Sequence, residues 1–175
     1  MGLEETLTKH PKLRIIIKAS ILTAVILISY YIGYGISFLL HLPNNYISGM
    51  WCAATAVVVF DDLPLNAKTL MKDRTLGSLV GTVVAAVCIS LIGHLILSVT
   101  ISLLVVCSFI IFFKWDGTLK IACITVMIVG VTTHGYTDQD IIFFAAIRFF
   151  ESVLGGTVSL LATILIDKLK IKLSN

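Results

Sequence analysis

One arginine lies where arginines are costly. Arg148 sits about two turns into an apolar stretch, Ile141 to Ile166, in which Glu151 is the only other charged residue. An arginine at the centre of a membrane-length helix is disfavoured by about 2.5 to 3.5 kcal/mol, so it faces protein or a water-filled cavity and finds a partner. Glu151, three residues on and on the same helix face, is the local partner and makes a purely structural ion pair one reading. The other is contact with an anion, because a guanidinium presents a planar fork that matches a carboxylate.

A second arginine stands 74 residues earlier. At that offset Arg74-Thr75-Leu76-Gly77-Ser78-Leu79-Val80-Gly81 aligns with Arg148-Phe149-Phe150-Glu151-Ser152-Val153-Leu154-Gly155, and arginine, serine and the second glycine coincide. The same offset matches Ile47 with Ile121 and Val57 with Val131. Arg74 reads either as an ordinary cytoplasmic-side cation or as the counterpart of Arg148 on an anion route. Each arginine is expected toward the positive end of its helix dipole, which favours an anion. Small residues follow both. Gly77 and Gly81 form a GxxxG, and Ser152 and Gly156, with Gly155 beside them, form its small-residue counterpart. Such residues let helix backbones approach closely. They predict tight packing of the third and sixth helices, with both arginines near a common axis.

Other candidates carry less. Cys52, Cys88, Cys107 and Cys123 all lie in apolar runs without metal-ligand spacing and read as small buried hydrophobes. His94 reads as an interfacial histidine, with a proton relay as the alternative. Tyr30, Tyr31, Tyr34, Phe143 and Phe144 read as lipid-facing or packing residues, or as an aromatic surface for an aromatic substrate. Tyr46, Trp51 and Trp115 stand near run ends as interface anchors, and Trp51 is also kept as a candidate substrate contact. The chain has no phosphate loop, no metal-spaced cluster and no nucleophile–base pair. No enzyme activity, cofactor, metal or nucleic-acid partner is expected.

The elements that must position the arginines are membrane helices. Of the 175 residues, 58% are hydrophobic and 13% charged, with a mean hydropathy of +1.02. A soluble domain would carry roughly 25% charged residues, so lipid is the main solvent. A span needs about 20 apolar residues to cross about 30 Å. The apolar runs are Ala19–Leu40, Tyr46–Phe60, Leu76–Phe113 folded in two near Gly93-His94, Ile121–Thr133, and Ile141–Ile166. The reading is an all-α integral membrane protein of six transmembrane helices. It forms one domain over residues 1–175, with no cytosolic domain, and its first helix is a retained signal anchor.

Orientation follows from the basic residues. Six crossings put the N-terminus, the 61–75 and 114–120 loops and the C-terminus on one side. Those segments hold every lysine and arginine except Arg148, including the basic tail Lys168, Lys170 and Lys172 that suits anionic lipid. Both termini are therefore expected in the cytoplasm. Repeat A, about 19–93, and repeat B, about 96–166, each hold three spans and so enter the membrane in opposite directions. That is the inverted-repeat plan of many transporters. The second and fifth runs are short, about 22 and 20 Å as helix, and short segments at corresponding places in two halves point to a substrate site.

The segment YISGMWCAATAVVVFDDLPLNAKTLMKDRTLGSLVGTVVAAV resembles the fusaric acid resistance and aromatic acid exporter family. There, a short helix with an early tryptophan leads to an R-x-x-G-[ST]-x-x-G helix. IRFFESVLGGTVSLLATILI is similar to the family's later arginine, acid and Gly-Gly pattern. The membrane domain is also similar to that of plant aluminium-activated malate transporters. The resemblance implies a homodimer in a bacterial inner membrane that exports or conducts small organic, notably aromatic, carboxylates. Arg74, Arg148, Glu151 and Trp51 are then the candidate substrate contacts. Typical members carry a large cytosolic domain, whereas this chain ends at Asn175. A separate cytosolic subunit is one expectation. A non-transporting membrane subunit or scaffold is the alternative function.

Overall fold

The structure is a computed structural model that describes residues 11–41, 45–133 and 138–168. Among them run six helices and no strand: α1 Pro11–Leu39, α2 Asn45–Val59, α3 Pro64–Ile92, α4 Leu95–Phe112, α5 Asp116–Thr133 and α6 Asp138–Lys168. The expected outer turns at 42–44 and 134–137, and the lysines Lys9, Lys170 and Lys172, lie outside the described residues. The long uncharged run does break at Gly93, whose φ of +68° ends α3. Lys114, at φ +56°, takes the same left-handed cap just after α4.

Five helices are long and apolar enough to cross a membrane: α1 from Ile15, α3, α4, α5, and α6 from Asp140. Their large side chains lie open on the surface, Leu91 and Phe112 each at 80% exposure, as lipid-facing residues must. The protein is multi-pass. The sixth expected span, α2, falls short at 15 residues, about 22 Å, because Asp61, Asp62 and Pro64 stop it. More than half of it is buried in protein, including Cys52, Ala56 and Val59.

The matching shortness expected of the fifth run is corrected. α5 has 18 residues because the polar turn before the apolar run is helical. Thr118 donates both its backbone N–H (2.9 Å) and its hydroxyl (2.8 Å) to the Trp115 carbonyl, and Asp116 sits in the first turn, where an acid is favoured.

Two pairs of helix boundaries keep the 74-residue offset. α2 ends at Val59 and α5 at Thr133, while α3 starts at Pro64 and α6 at Asp138.

Two compact units divide the chain, Met1–Met71 with Leu154–Asn175, and Lys72–Val153. In the first, α1 lies tightly on α2. A Cβ on Gly33 would stand 2.6 Å from Cys52 Sγ and 2.8 Å from the Ser48 carbonyl, and one on Gly49 would stand 2.9 Å from the Tyr30 ring. The C-terminal part of α6 runs parallel to α2. Gly155 abuts the Cys52 carbonyl, Ser159 donates to the Ala56 carbonyl at 2.9 Å, and Thr163 donates to the Asp61 carbonyl at 3.1 Å. Lys18 pairs with Asp62 at 2.6 Å, tying the start of α1 to the α2–α3 turn.

In the second unit the core gathers Ala85, Ile89, Val106, Ile110, Ala122 and Val126 with Ile141 and Ala145. Here α3 runs parallel to α5. A Cβ on Gly77 would lie 2.9 Å from the Ile121 side chain and the Thr118 carbonyl, and one on Gly81 would lie 2.7 Å from the Ala122 carbonyl. Each unit thus repeats one device, a third helix of one half seated through a glycine on the second helix of the other.

Candidate functional site: the two arginine helices

Arg74 lies ten residues after the start of α3, and Arg148 lies ten residues after the start of α6. At 1.5 Å per residue both are about 15 Å along their helices, nearly three turns rather than the expected two. The added turn in α6 comes from Asp138 to Asp140, which are helical. At that depth the helix-terminus field contributes little, since it fades within the first turn. The expected dipole assistance to an anion is therefore dropped.

Both guanidiniums are buried, Arg74 at 3% and Arg148 at 5% exposure, and Glu151 is buried at 5%. Arg148 Nη1 donates to Glu151 Oε2 at 2.6 Å. The i,i+3 spacing does what the sequence suggested: it neutralises Arg148 locally. Arg74 has no acid at that spacing, because Gly77 stands there against α5, and its interactions are its own. Among the buried described residues the charged side chains are Arg74, Arg148 and Glu151. They carry two positive charges against one negative, and all three belong to the second unit. Dry protein tolerates buried charge only when it is compensated, and Glu151 compensates Arg148.

One residue that sequence reasoning passed over is Ser78. It follows Arg74 by one turn on the same face, is fully buried, and its hydroxyl makes no hydrogen bond among the described residues. Its only signal in the sequence was coincidence with Ser152, also fully buried, at the 74-residue offset. Between them, α3 and α6 leave an apolar cleft of about 360 Å³, lined by Leu79, Thr82, Ala86, Ile142, Ala145 and Phe149.

The small residues do not bring α3 and α6 together as expected. Gly77 and Gly81 seat α5, and Gly155 seats α2. Gly156 reaches α3 only through the flexible Met71 side chain. A sequence motif shows that a backbone can be approached, and tertiary packing chooses which helix does so. Trp51 is also corrected as an interface anchor. At 9% exposure in α2 it faces protein, while Tyr46 at 54% and Trp115 at 36% keep surface positions. Tyr30 packs on Gly49 and stacks with Tyr34, and Tyr31 and Phe143 are exposed. His94 is exposed at the start of α4 with no side-chain capping bond. No cluster of three metal-ligating side chains occurs among the described residues.

A multi-pass helical chain with a short buried second helix and a repeated arginine–serine–glycine pattern narrows the comparison. The family model described as fusaric acid resistance protein-like matches residues 32–162, most of the chain. The chain belongs to that family. No curated protein and no solved structure matches it. Membership in the fusaric acid resistance protein-like family makes this a membrane transport-related protein.

Proposed function

We propose that this family member is an exporter or channel for small organic carboxylates, aromatic ones among them, with Arg74 and Arg148 on the anion's route. The observation that carries the reading is the burial of two arginines at equivalent positions, ten residues into helices otherwise built for lipid. Glu151 holds Arg148 as an internal stand-in for a substrate carboxylate. An arriving anion competes for the same guanidinium, and Arg74 with the Ser78 hydroxyl is a second candidate set of donors, on α3. The apolar cleft between α3 and α6 suits the hydrocarbon body of such an acid.

Two shared boundaries and the twice-used glycine seat support two inverted three-helix repeats, with α2 as the short second member of the first. The distribution of basic residues supports both termini in the cytoplasm of a bacterial inner-membrane protein, and the homodimer is what the family resemblance implies. In that orientation the membrane potential drives a monovalent anion outward by about 2.3 kcal/mol per 100 mV, so a gated anion path needs no second ion to export.

The test keeps the buried charge balanced. Arg148→Gln with Glu151→Gln removes the pair together, in proteoliposomes carrying labelled benzoate. Loss of efflux in a variant that melts like the parent places the pair on the route. Undiminished efflux makes the pair structural and removes it from the mechanism. An inactive parent chain, with a soluble partner recovered on its loops, would favour a non-transporting subunit.

A further inference from the structure

Cys107 on α4 and Cys123 on α5 face each other across the α4–α5 hairpin, with their sulfurs 3.6 Å apart. Both thiols are free and both residues are half-buried. Cys107 lies five residues before the end of α4, and Cys123 lies seven residues after the start of α5. The pair therefore sits roughly 8–10 Å from the turn, inside membrane-spanning sequence. At the 74-residue offset these positions correspond to Gly33 and Gly49, which bring α1 and α2 into backbone-close contact. Where the first hairpin is fixed by the lack of side chains, the second carries two thiols at van der Waals distance on opposite helices.

We infer that Cys107 and Cys123 form an oxidisable dithiol, a modification site whose disulfide locks the α4–α5 hairpin. The step breaks two S–H bonds and makes one S–S bond, releasing two protons and two electrons. A lipid-soluble quinone, which partitions into the apolar surroundings of these thiols, accepts both and leaves as the quinol. A site inside membrane-spanning sequence is little visited by aqueous thiols and disulfides. An oxidant soluble in the bilayer is thus favoured over a soluble disulfide. Cys52 and Cys88, which are also free thiols, serve as internal controls.

The test uses the full chain in liposomes treated with a short-chain ubiquinone, then denatured, alkylated with N-ethylmaleimide and weighed intact. Four adducts are expected before treatment. After it, two adducts are expected and the mass of two hydrogens is lost, with the linked peptides containing Cys107 and Cys123. Cys107→Ser should keep its three remaining thiols alkylatable under the same treatment. Four adducts after oxidation would overturn the inference, as would a link through Cys52 or Cys88 or a bond between two chains. The readout is a thiol count, so it stands or falls separately from anion transport.

Discussion

The two halves of this protein solve the same packing problem with different side chains. Gly33, Gly49 and Gly77 of the first half become Cys107, Cys123 and Glu151 of the second at the common offset of 74. In the first half each glycine takes a contact that leaves no room for a Cβ. In the second half the same places carry a thiol pair and the carboxylate that binds Arg148. Gly81 and Gly155, by contrast, are kept, and both seat their helix on a neighbouring backbone. The shared glycine holds the architecture, and the divergent three give one half a rigid frame and the other its chemistry. That is how two arginines at equivalent positions come to differ, one with an acid at i+3 and one without.

The largest expected break in this contrast is at Glu151's partner. Arg148→Ala leaves a buried carboxylate uncompensated and should destabilise the protein by about 3–5 kcal/mol. Adding Glu151→Gln should recover most of that loss, as measured by thermal unfolding in detergent. If the double variant melts as low as the single one, the pair is not the reason for the loss. Next comes the rigid frame. Gly77→Ala drives a methyl into Ile121 and the Thr118 carbonyl, with an expected cost of about 1–3 kcal/mol. Converting the second half toward the first should be gentler: Cys107→Gly removes a half-buried thiol and should cost no more than about 1 kcal/mol, chiefly from helix propensity. Equal losses from Gly77→Ala and Cys107→Gly would erase the distinction between frame and chemistry. The smallest effect belongs to Lys18→Gln. Its ion pair with Asp62 joins a side chain 45% exposed to one 18% exposed, and solvent screening leaves about 0.5 kcal/mol at most.

Much of this organisation was legible because its causes are local. Run length and the absence of charge located the helices, and Gly93 located a turn that needs a positive φ. The Arg148–Glu151 pair follows from helical periodicity alone. What could not be read has tertiary causes. Nothing in Gly77-x-x-x-Gly81 says that α5, rather than α6, fills its groove. Trp51 looked like an anchor because it stands near the edge of an apolar run, yet it lies on the face of α2 that is buried in protein. The extra turn of α5 was hidden by polar residues that water would keep unwound but that hydrogen bonds to Trp115 hold.

The claim on which the function rests is that the buried arginines serve a travelling anion. Efflux of labelled benzoate from proteoliposomes, under an imposed inside-negative potential, tests it through Arg74→Gln, the substitution that removes one guanidinium and leaves the Arg148–Glu151 pair intact. Losing a charged hydrogen bond worth about 1.5–3 kcal/mol should slow efflux tenfold or more, with the unfolding temperature unchanged within a few degrees. Parental efflux from a fully folded Arg74→Gln protein would contradict the account.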